Sequence, residues 1–364
     1  MRLDRARGFA GVLILVLCAA SAAPARADTE LLGPLRIRDM TPFNLLRLDM
    51  LPAHAVAAGR GSWAIEADVS YSNTFVMSDN VRSYLEARGG GRRALSQADA
   101  DAILALGEDA YYVDGEFGLL DLTFHYRVAS RTSVYLTLSA YNFTGGILDG
   151  TIEGFHDTFG LGTDGRDWVA RDRFQVISSL DGVNTSFLDP PVDGGFGDPV
   201  VGARHAWPLS KSHWSVVLDG EAKFALRGER PFLSTGTNDY GLQTSLQGKY
   251  RRQGVYFSSS FVMTDGRVLG VKLDRQVIPT VTAAYEVGMT QHTNFLLQLY
   301  GSESTVRDSS IEAIGANKYQ ASLGVRSHRG HLVYGFAVTE NLKNFENTPD
   351  VGVSLTLAWV SLHP

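Results

Sequence analysis

Residues 195–228 read GFGDPVVGARHAWPLSKSHWSVVLDGEAKFALRG and form two alternating runs joined by one short turn. In the second run, 214–226, one row of side chains contains only apolar residues and one glycine. The opposite row contains three charged residues: Asp219, Glu221 and Lys223. A period of two indicates a β-strand, and a row this highly charged is costly to bury in a dry core. An apolar row facing lipid and a polar row facing a wet lumen are typical of a transmembrane β-barrel.

The first 27 residues have the pattern of a signal peptide. Three arginines precede an apolar run at 9–20, and Ala25-Arg26-Ala27 provides a small-residue cleavage site. Cys18, the single cysteine, is interpreted as part of the apolar run, because bulky residues before it argue against lipoprotein processing. We expect cleavage after Ala27, export to the outer membrane and no disulfide framework.

The remaining chain divides into an N-terminal segment, 28–60, and a barrel, 61–364. Further alternating runs occur at 62–76, 115–128, 134–141, 238–251, 255–264, 276–289, 293–302, 317–327, 332–338 and 351–359. Short connections (129–132, 208–213, 252–254, 290–293, 328–331) alternate with long ones (77–114, 145–195, 227–237, 265–275, 303–316, 342–350). This pattern predicts an all-β antiparallel barrel of about 12 strands, with both termini periplasmic and long extracellular loops that contain short helices.

Aromatic residues support the same topology. Six of them fall on the apolar row beside short turns or at the ends of the barrel sequence, namely Trp63, Tyr126, Trp207, Trp214, Tyr250 and Trp359. Such sorting predicts an aromatic girdle at one membrane interface. The polar row predicts the lumen lining: Glu66, Asp68, Asp121, His125, Arg127, Arg204, Asp219, Glu221, Lys223, Lys249, Arg251, Glu286 and Arg326. These charges could order a polar passage, or they could pair and close the interior.

The segment 28–60 is too rich in apolar residues for an exposed tail. It is expected either to pack at the periplasmic mouth or inside the barrel, or to be an extended lead-in with one short helix. In the loop 77–114, helices are predicted at 81–88 and 96–106, the second with a capping box formed by Ser96 and Asp99.

Charged clusters in the long loops allow two interpretations each. Arg82, Arg88, Arg92 and Arg93 could contact anionic lipid headgroups or form a solvated face. The loop 145–195 is predicted to be a solvated acidic loop, with a strand considered at 168–177. Its aspartates Asp157, Asp164 and Asp167 lack calcium-loop spacing. No metal or cofactor motif is present.

Three short stretches resemble the uncharacterised DUF3187 family: GPLRIRDMTPFN at 33–44, YSNTF at 71–75 and GFGD at 195–198. The resemblance implies a Gram-negative outer-membrane barrel and carries no assigned activity. The GFGD run, which leads into an alternating strand, also resembles fatty-acid and aromatic-hydrocarbon channel barrels.

Three functions are compatible with the sequence. The first is a narrow channel or transporter for a small polar or amphipathic solute, with residues 28–60 as a plug. The second is a lipid-modifying hydrolase, in which His125 acts with Ser139 or Ser70 and with Asp68 or Asp121. The third is a non-catalytic surface or structural barrel.

No nucleophile elbow or other diagnostic catalytic motif is present. We therefore assign no catalytic residue, and we favour a protein that is not an enzyme. Expected partners are outer-membrane lipid including lipopolysaccharide, a small solute, and the barrel-assembly machinery during biogenesis. The formal net charge of −6 argues against nucleic acid.

Overall fold

The computed structural model describes residues 30–52, 61–107, 110–160, 162–180, 182–209, 213–307, 312–343 and 349–361. The predicted signal peptide and its cleavage site, and residues 53–60 of the N-terminal segment, lie outside these ranges. No described helix is long and apolar enough to cross a membrane.

Twelve antiparallel strands form the barrel, and we label them in chain order. They are β1 Trp63–Met77, β2 Ala110–Ala129, β3 Thr132–Thr144, β4 Val200–Pro208, β5 Trp214–Lys223, β6 Asp239–Tyr250, β7 Gln253–Val268, β8 Val271–Gly288, β9 Thr293–Ser302, β10 Lys318–Arg329, β11 Leu332–Lys343 and β12 Val351–Val360. Each pairs with its sequence neighbours, and β1 also pairs with β12 from Ala64↔Val360 to Asn73↔Val351. The predicted closed 12-stranded fold is therefore confirmed.

Burial alternates along the strands as the sequence pattern requires. In β6, for example, Leu242 and Leu246 are exposed on the outer face, whereas Gln243 and Ser245 are buried on the lumen face. A closed sheet pairs its backbone hydrogen-bonding groups between strands, which makes it compatible with a lipid environment.

A helical cap covers the long-loop end beside β1 and β2. It comprises α1 Asp79–Arg88, α2 Gln97–Leu104, α3 Asp149–Phe159, a 3₁₀ turn at Arg166–Trp168 and a hairpin of Gln175–Leu180 and Val183–Phe187. The predicted capping box at Ser96 and Asp99 is present. Buried Val81, Leu85 and Ile103 pack against Phe75 and Tyr112, which lie on the outer face of the extended β1 and β2. Shorter elements are α4 Glu312–Gly315 and the strands Gly194–Phe196, Glu229–Arg230 and Ser234–Thr235.

Two predicted loops differ from the structure. The connection 265–275 is instead a continuation of β7 and β8 that ends in a tight turn at Leu269-Gly270, both with positive φ. A register shift between Thr264 and Gly266 interrupts the alternation there and hides the strand in the sequence. The loop 145–195 contains α3 and the hairpin, whose first strand pairs with Ala110–Asp114 of β2. The possible strand at 168–177 begins only at Gln175.

Candidate functional site

The barrel interior receives most of the residues predicted to line it. Nine are buried, namely Glu66, Asp68, Asp121, His125, Arg204, Asp219, Lys223, Glu286 and Arg326. Arg127, Glu221 and Lys249 are half-buried. The prediction is wrong for Arg251, because β6 ends at Tyr250 and Arg251 is exposed in the following turn with φ of 52°.

Residues 30–52, which we call the lumen segment, lie inside the barrel. Near one end, Glu286 of β8 accepts hydrogen bonds from the backbone N–H groups of Leu32 (2.7 Å) and Gly33 (3.0 Å). Arg326 of β10 donates to the carbonyl oxygens of Leu32, Gly33 and Pro34. Because this stretch is in no helix or strand, its backbone groups would otherwise be unsatisfied, and the wall side chains provide their partners.

Two arginines of the lumen segment neutralise carboxylates on β1 and β2. The Nε of Arg36 lies 3.1 Å from both Glu66 Oε1 and Asp68 Oδ2. Arg38 Nη1 lies 3.2 Å from Asp121 Oδ2. All five side chains are buried or nearly so, so each pair replaces lost hydration with a direct charge contact.

Asp39 and Lys318 of β10 form an ion pair in which both side chains are fully buried. Asp39 also accepts hydrogen bonds from the N–H of Thr41 (3.1 Å) and from Asn44 Nδ2 (2.7 Å). Arg47 Nη2 lies 3.8 Å from the same carboxylate and donates to the hydroxyl of Tyr300 in β9 (2.9 Å). The Asp39 carboxylate therefore binds several residues of the turn at 41–47 and, through Lys318, attaches that turn to the wall.

The C-terminal part of the lumen segment contacts β5 and β6. Asp239 accepts a hydrogen bond from the N–H of Leu48 and pairs with Lys223 Nζ, both at 2.8 Å. Gln243 donates to the carbonyl oxygen of Met50 (2.9 Å). Gly241 leaves room for the segment, since a Cβ there would lie 2.5 Å from the Met50 sulfur. The lumen segment is thus bound on opposite sides of the barrel.

The charge network continues along the β3–β5 wall. The Tyr135 hydroxyl lies 2.5 Å from Asp219 Oδ1 and 2.7 Å from Glu221 Oε1. Arg204 donates from Nε to Asp219 Oδ2 at 2.6 Å. Beside this wall, a small cavity of about 30 Å³ lies between the segment and β2–β5. Of the two alternatives for the lumen charges, these contacts agree with the one in which the charges pair with one another.

The long-loop half of the lumen contains an aromatic cluster beside its ion pairs, and the sequence analysis missed this cluster. Aromatic side chains of the wall and loops meet the lumen segment there, in a cluster that includes Phe43, Leu45, Phe117, Tyr141, Phe143, Phe174 and Phe232. Residues 111–119 of β2 are buried on both faces, under the cap on one side and in the lumen on the other. Their sequence therefore lacks the alternation of polar and apolar residues that would have identified the lumen face.

The proposed hydrolase residues do not assemble into a nucleophile–base set in the described chain. His125 Nε2 lies 3.4 Å from Glu66 Oε2, and its ring contacts Tyr135. Ser139 donates to Asp121 (2.5 Å), whereas Ser70 pairs with Ser354 (3.2 Å). Among described residues, no group of three or more potential metal ligands is found, and this includes Asp157, Asp164 and Asp167.

The six residues of the predicted aromatic girdle are all exposed on the outer face, between 37% for Trp359 and 54% for Tyr250. Each lies at the end of its strand beside a short turn or a barrel terminus. The Trp63 and Trp359 rings meet across the β1–β12 seam with centroids 4.6 Å apart.

Three of the four loop arginines that could have met lipid are instead paired within the cap. Arg88 and Arg93 lie 3.5 and 3.8 Å from Asp99 Oδ1, and Arg92 Nη1 lies 2.8 Å from Glu153 Oε1. Burial opposes ionisation of Asp99, but hydrogen bonds from Ser96 and Tyr84 and the charge of Arg88 lower its pKa to about 2. Burial likewise opposes ionisation of Glu153, whereas Arg171 and Arg92 lower its pKa to about 2.

We expect acid to loosen the cap before the barrel. Both carboxylates have folded-state pKa values below their ordinary values of 3.8 and 4.5, so they stabilise the cap above that range. This contribution is lost as pH falls from about 4.5 toward 2. Fluorotryptophan NMR should show the Trp168 resonance shifting in this window while the girdle resonances stay constant. A Trp168 shift with the same midpoint in the Asp99→Asn, Glu153→Gln double variant would contradict the assignment.

Comparison with solved structures places this fold among outer-membrane barrels. An outer membrane channel of the COG4313 group from Pseudomonas putida F1 superimposes with a TM-score of 0.50 at 12% identity, over 84% of this chain and 97% of that chain. The toluene transporter TbuX from Ralstonia pickettii gives a TM-score of 0.42 at 10% identity, over 90% and 99%. At these identities, the likeness concerns the fold alone.

No curated protein matches the sequence. A family model does match, over residues 81–360, and its description is a protein of unknown function, DUF3187. The match spans most of the barrel, including the cap and strands β2 to β12. The chain belongs to the DUF3187 family.

Proposed function

We propose that this protein is an outer-membrane channel or transporter for a small polar or amphipathic solute, closed at rest by the lumen segment. In this proposal the signal peptide is removed after Ala27, the short turns and both termini face the periplasm, and the long loops face outward. A channel is also the function named for the P. putida protein with the similar fold.

The observation that carries the proposal is how the lumen segment is held. It contacts charged or polar wall residues on most strands, but through separate side-chain contacts rather than as a paired strand. A buried element bound by separate polar contacts can be released as a unit if each contact is replaced by water. Solute passage then requires displacement of the lumen segment.

The lining suggests the chemistry of the solute. The lumen presents both the aromatic cluster around Phe143 and Phe232 and charged groups such as Arg36 and Glu221. An amphipathic solute would place its apolar part beside the aromatic cluster and its polar part beside the charged groups.

A single substitution tests the closure. In Gly241→Leu the new side chain must enter space occupied by Met50 and Leu48, and overpacking of this kind costs about 1–3 kcal/mol. We expect the open fraction in planar-bilayer recordings to rise about tenfold relative to the unmodified protein.

Gly220→Leu is the matched control, because Gly220 lies on the neighbouring strand, on the outer face, where a Cβ would meet nothing within 4 Å. This variant should behave as the parent protein. If neither variant conducts ions or passes solute although both are folded, the channel proposal is rejected in favour of a structural barrel. Outer-membrane lipid, lipopolysaccharide and the barrel-assembly machinery remain proposed partners.

A further inference from the structure

The short-turn end of the barrel has an unusual charge composition. The five short connections, taken as 129–132, 208–213, 250–253, 288–293 and 328–332, contain no Asp or Glu. They contain five Arg or Lys residues, namely Arg131, Lys211, Arg251, Arg252 and Arg329, together with four histidines. We call Arg131, Arg251 and Arg329 the rim arginines, since all three are described and exposed.

The rim arginines lie beside the aromatic girdle. The guanidinium of Arg251 is 5.2 Å from the centre of the Tyr250 ring. Arg131 follows Tyr126 in the turn from β2 to β3, and Arg329 precedes His331, which stacks on Trp359 at 5.4 Å. Tryptophan and tyrosine at such positions sit at the level of lipid headgroups, so the rim arginines lie at that level or just beyond it.

Three of the exposed arginines at the opposite end pair with carboxylates of the protein. Arg267 pairs with Glu229 (2.9 Å), Arg275 with Asp265 (3.2 Å) and Arg307 with Glu303 (2.9 Å). By contrast, in the part of the chain described here, no carboxylate lies within 4.0 Å of any rim arginine. The carboxylate of Glu30 is at this end but contacts His328 at 3.8 Å.

We propose that the rim arginines bind the phosphate groups of anionic glycerophospholipids, such as phosphatidylglycerol, in the leaflet at the short-turn end. An exposed guanidinium offers a bidentate donor pair to phosphate oxygens, and the adjacent aromatic rings contact the glycerol and upper acyl region. Lipid phosphates, rather than carboxylates of the protein, are thus the anionic partners of the rim arginines. The proposal concerns a lipid surface and does not depend on whether the lumen conducts.

The test uses the full-length protein purified in mild detergent and supplied with a mixture of phosphatidylglycerol and phosphatidylcholine. Native mass spectrometry measures the bound phosphatidylglycerol per barrel. The rim variant is Arg131→Gln, Arg251→Gln, Arg329→Gln. The matched control is Arg267→Gln, Arg275→Gln, Arg307→Gln, which changes the net charge equally at the other end.

Each basic residue near an anionic membrane surface contributes about a fivefold change in association, the ratio that corresponds to about 1 kcal/mol. We expect the rim variant to lose at least about tenfold in phosphatidylglycerol retention and the control to retain the parent value. Addition of inorganic phosphate at millimolar concentration should not displace the lipid.

Three results would overturn the proposal. Equal loss in both variants would show an effect of overall charge, and no loss in the rim variant would show that its arginines are not ligands. Selective loss of added lipopolysaccharide, with phosphatidylglycerol unchanged, would show that the rim recognises the other class of lipid. Gel mobility before and after heating verifies in each case that the barrel is folded.

Discussion

Deletion of residues 30–52 is expected to convert the closed barrel into a channel that prefers cations. Apart from Arg127 at the short-turn end of β2 and Arg230, which lies 3.8 Å from Asp198 at the long-loop end, the interior then presents eight carboxylates against five cations, a formal net charge of −3. The carboxylates are Glu66, Asp68, Asp121, Asp198, Asp219, Glu221, Asp239 and Glu286, and the cations are Arg204, Lys223, Lys249, Lys318 and Arg326. Rings of acidic side chains favour cation entry in pores. In planar bilayers under a tenfold KCl gradient, the reversal potential should move toward that of K⁺.

Within the lumen segment, Arg47 is paired with the segment's own Asp39 and Asp49, whereas Arg36 and Arg38 are paired with carboxylates of the wall. In the deletion background, Glu66→Gln, Asp68→Asn and Asp121→Asn together remove the excess negative charge and should abolish the preference. These carboxylates face the deleted arginines, so the deletion removes their partners. Anion preference would contradict the charge argument, and a folded deletion variant without conductance would contradict the proposed closure.

The barrel was predictable because its signal is local. A period of two over 8–12 residues specifies both faces of a strand, and tryptophans at strand ends specify which ends lie together. The strands containing Trp214 and Trp359 are found as expected. Only Arg251, whose alternation continues one residue beyond the strand, was assigned to the lumen wrongly.

For the lumen segment, the sequence predicted that it packs against the barrel but not which residues it contacts. Its sequence has no strand or helix period, and its contacts join residues such as Leu32 and Glu286 that are 254 positions apart. Contacts between residues so far apart produce no periodic pattern in the local sequence. The aromatic part of the lumen was missed for a different reason, since a stretch of β2 buried on both faces has no polar row to mark the interior.

Arg166→Met is expected to have the largest effect on the cap. This buried arginine donates to Asp149 Oδ1 (2.7 Å) and Asn73 Oδ1 (2.8 Å), contacts Asp350 and lies 4.4 Å above the Phe75 ring. Its removal leaves two carboxylates without their cation, which costs about 3–5 kcal/mol in buried pairs. We expect amide hydrogen exchange in α1 and α2 to accelerate about a hundredfold or more.

Arg171→Met tests whether burial is the cause of this effect. Arg171 is bonded to Glu153 of the same cap, but its side chain is half exposed, so solvent screens its pair and the loss of stability should be much smaller. Arg166 differs also in position, because Asn73 and Asp350 lie at the β1–β12 seam that closes the barrel. Similar exchange rates in the two variants would mean that the apolar contacts of Val81 and Leu85, rather than the buried arginine, hold the cap against the seam.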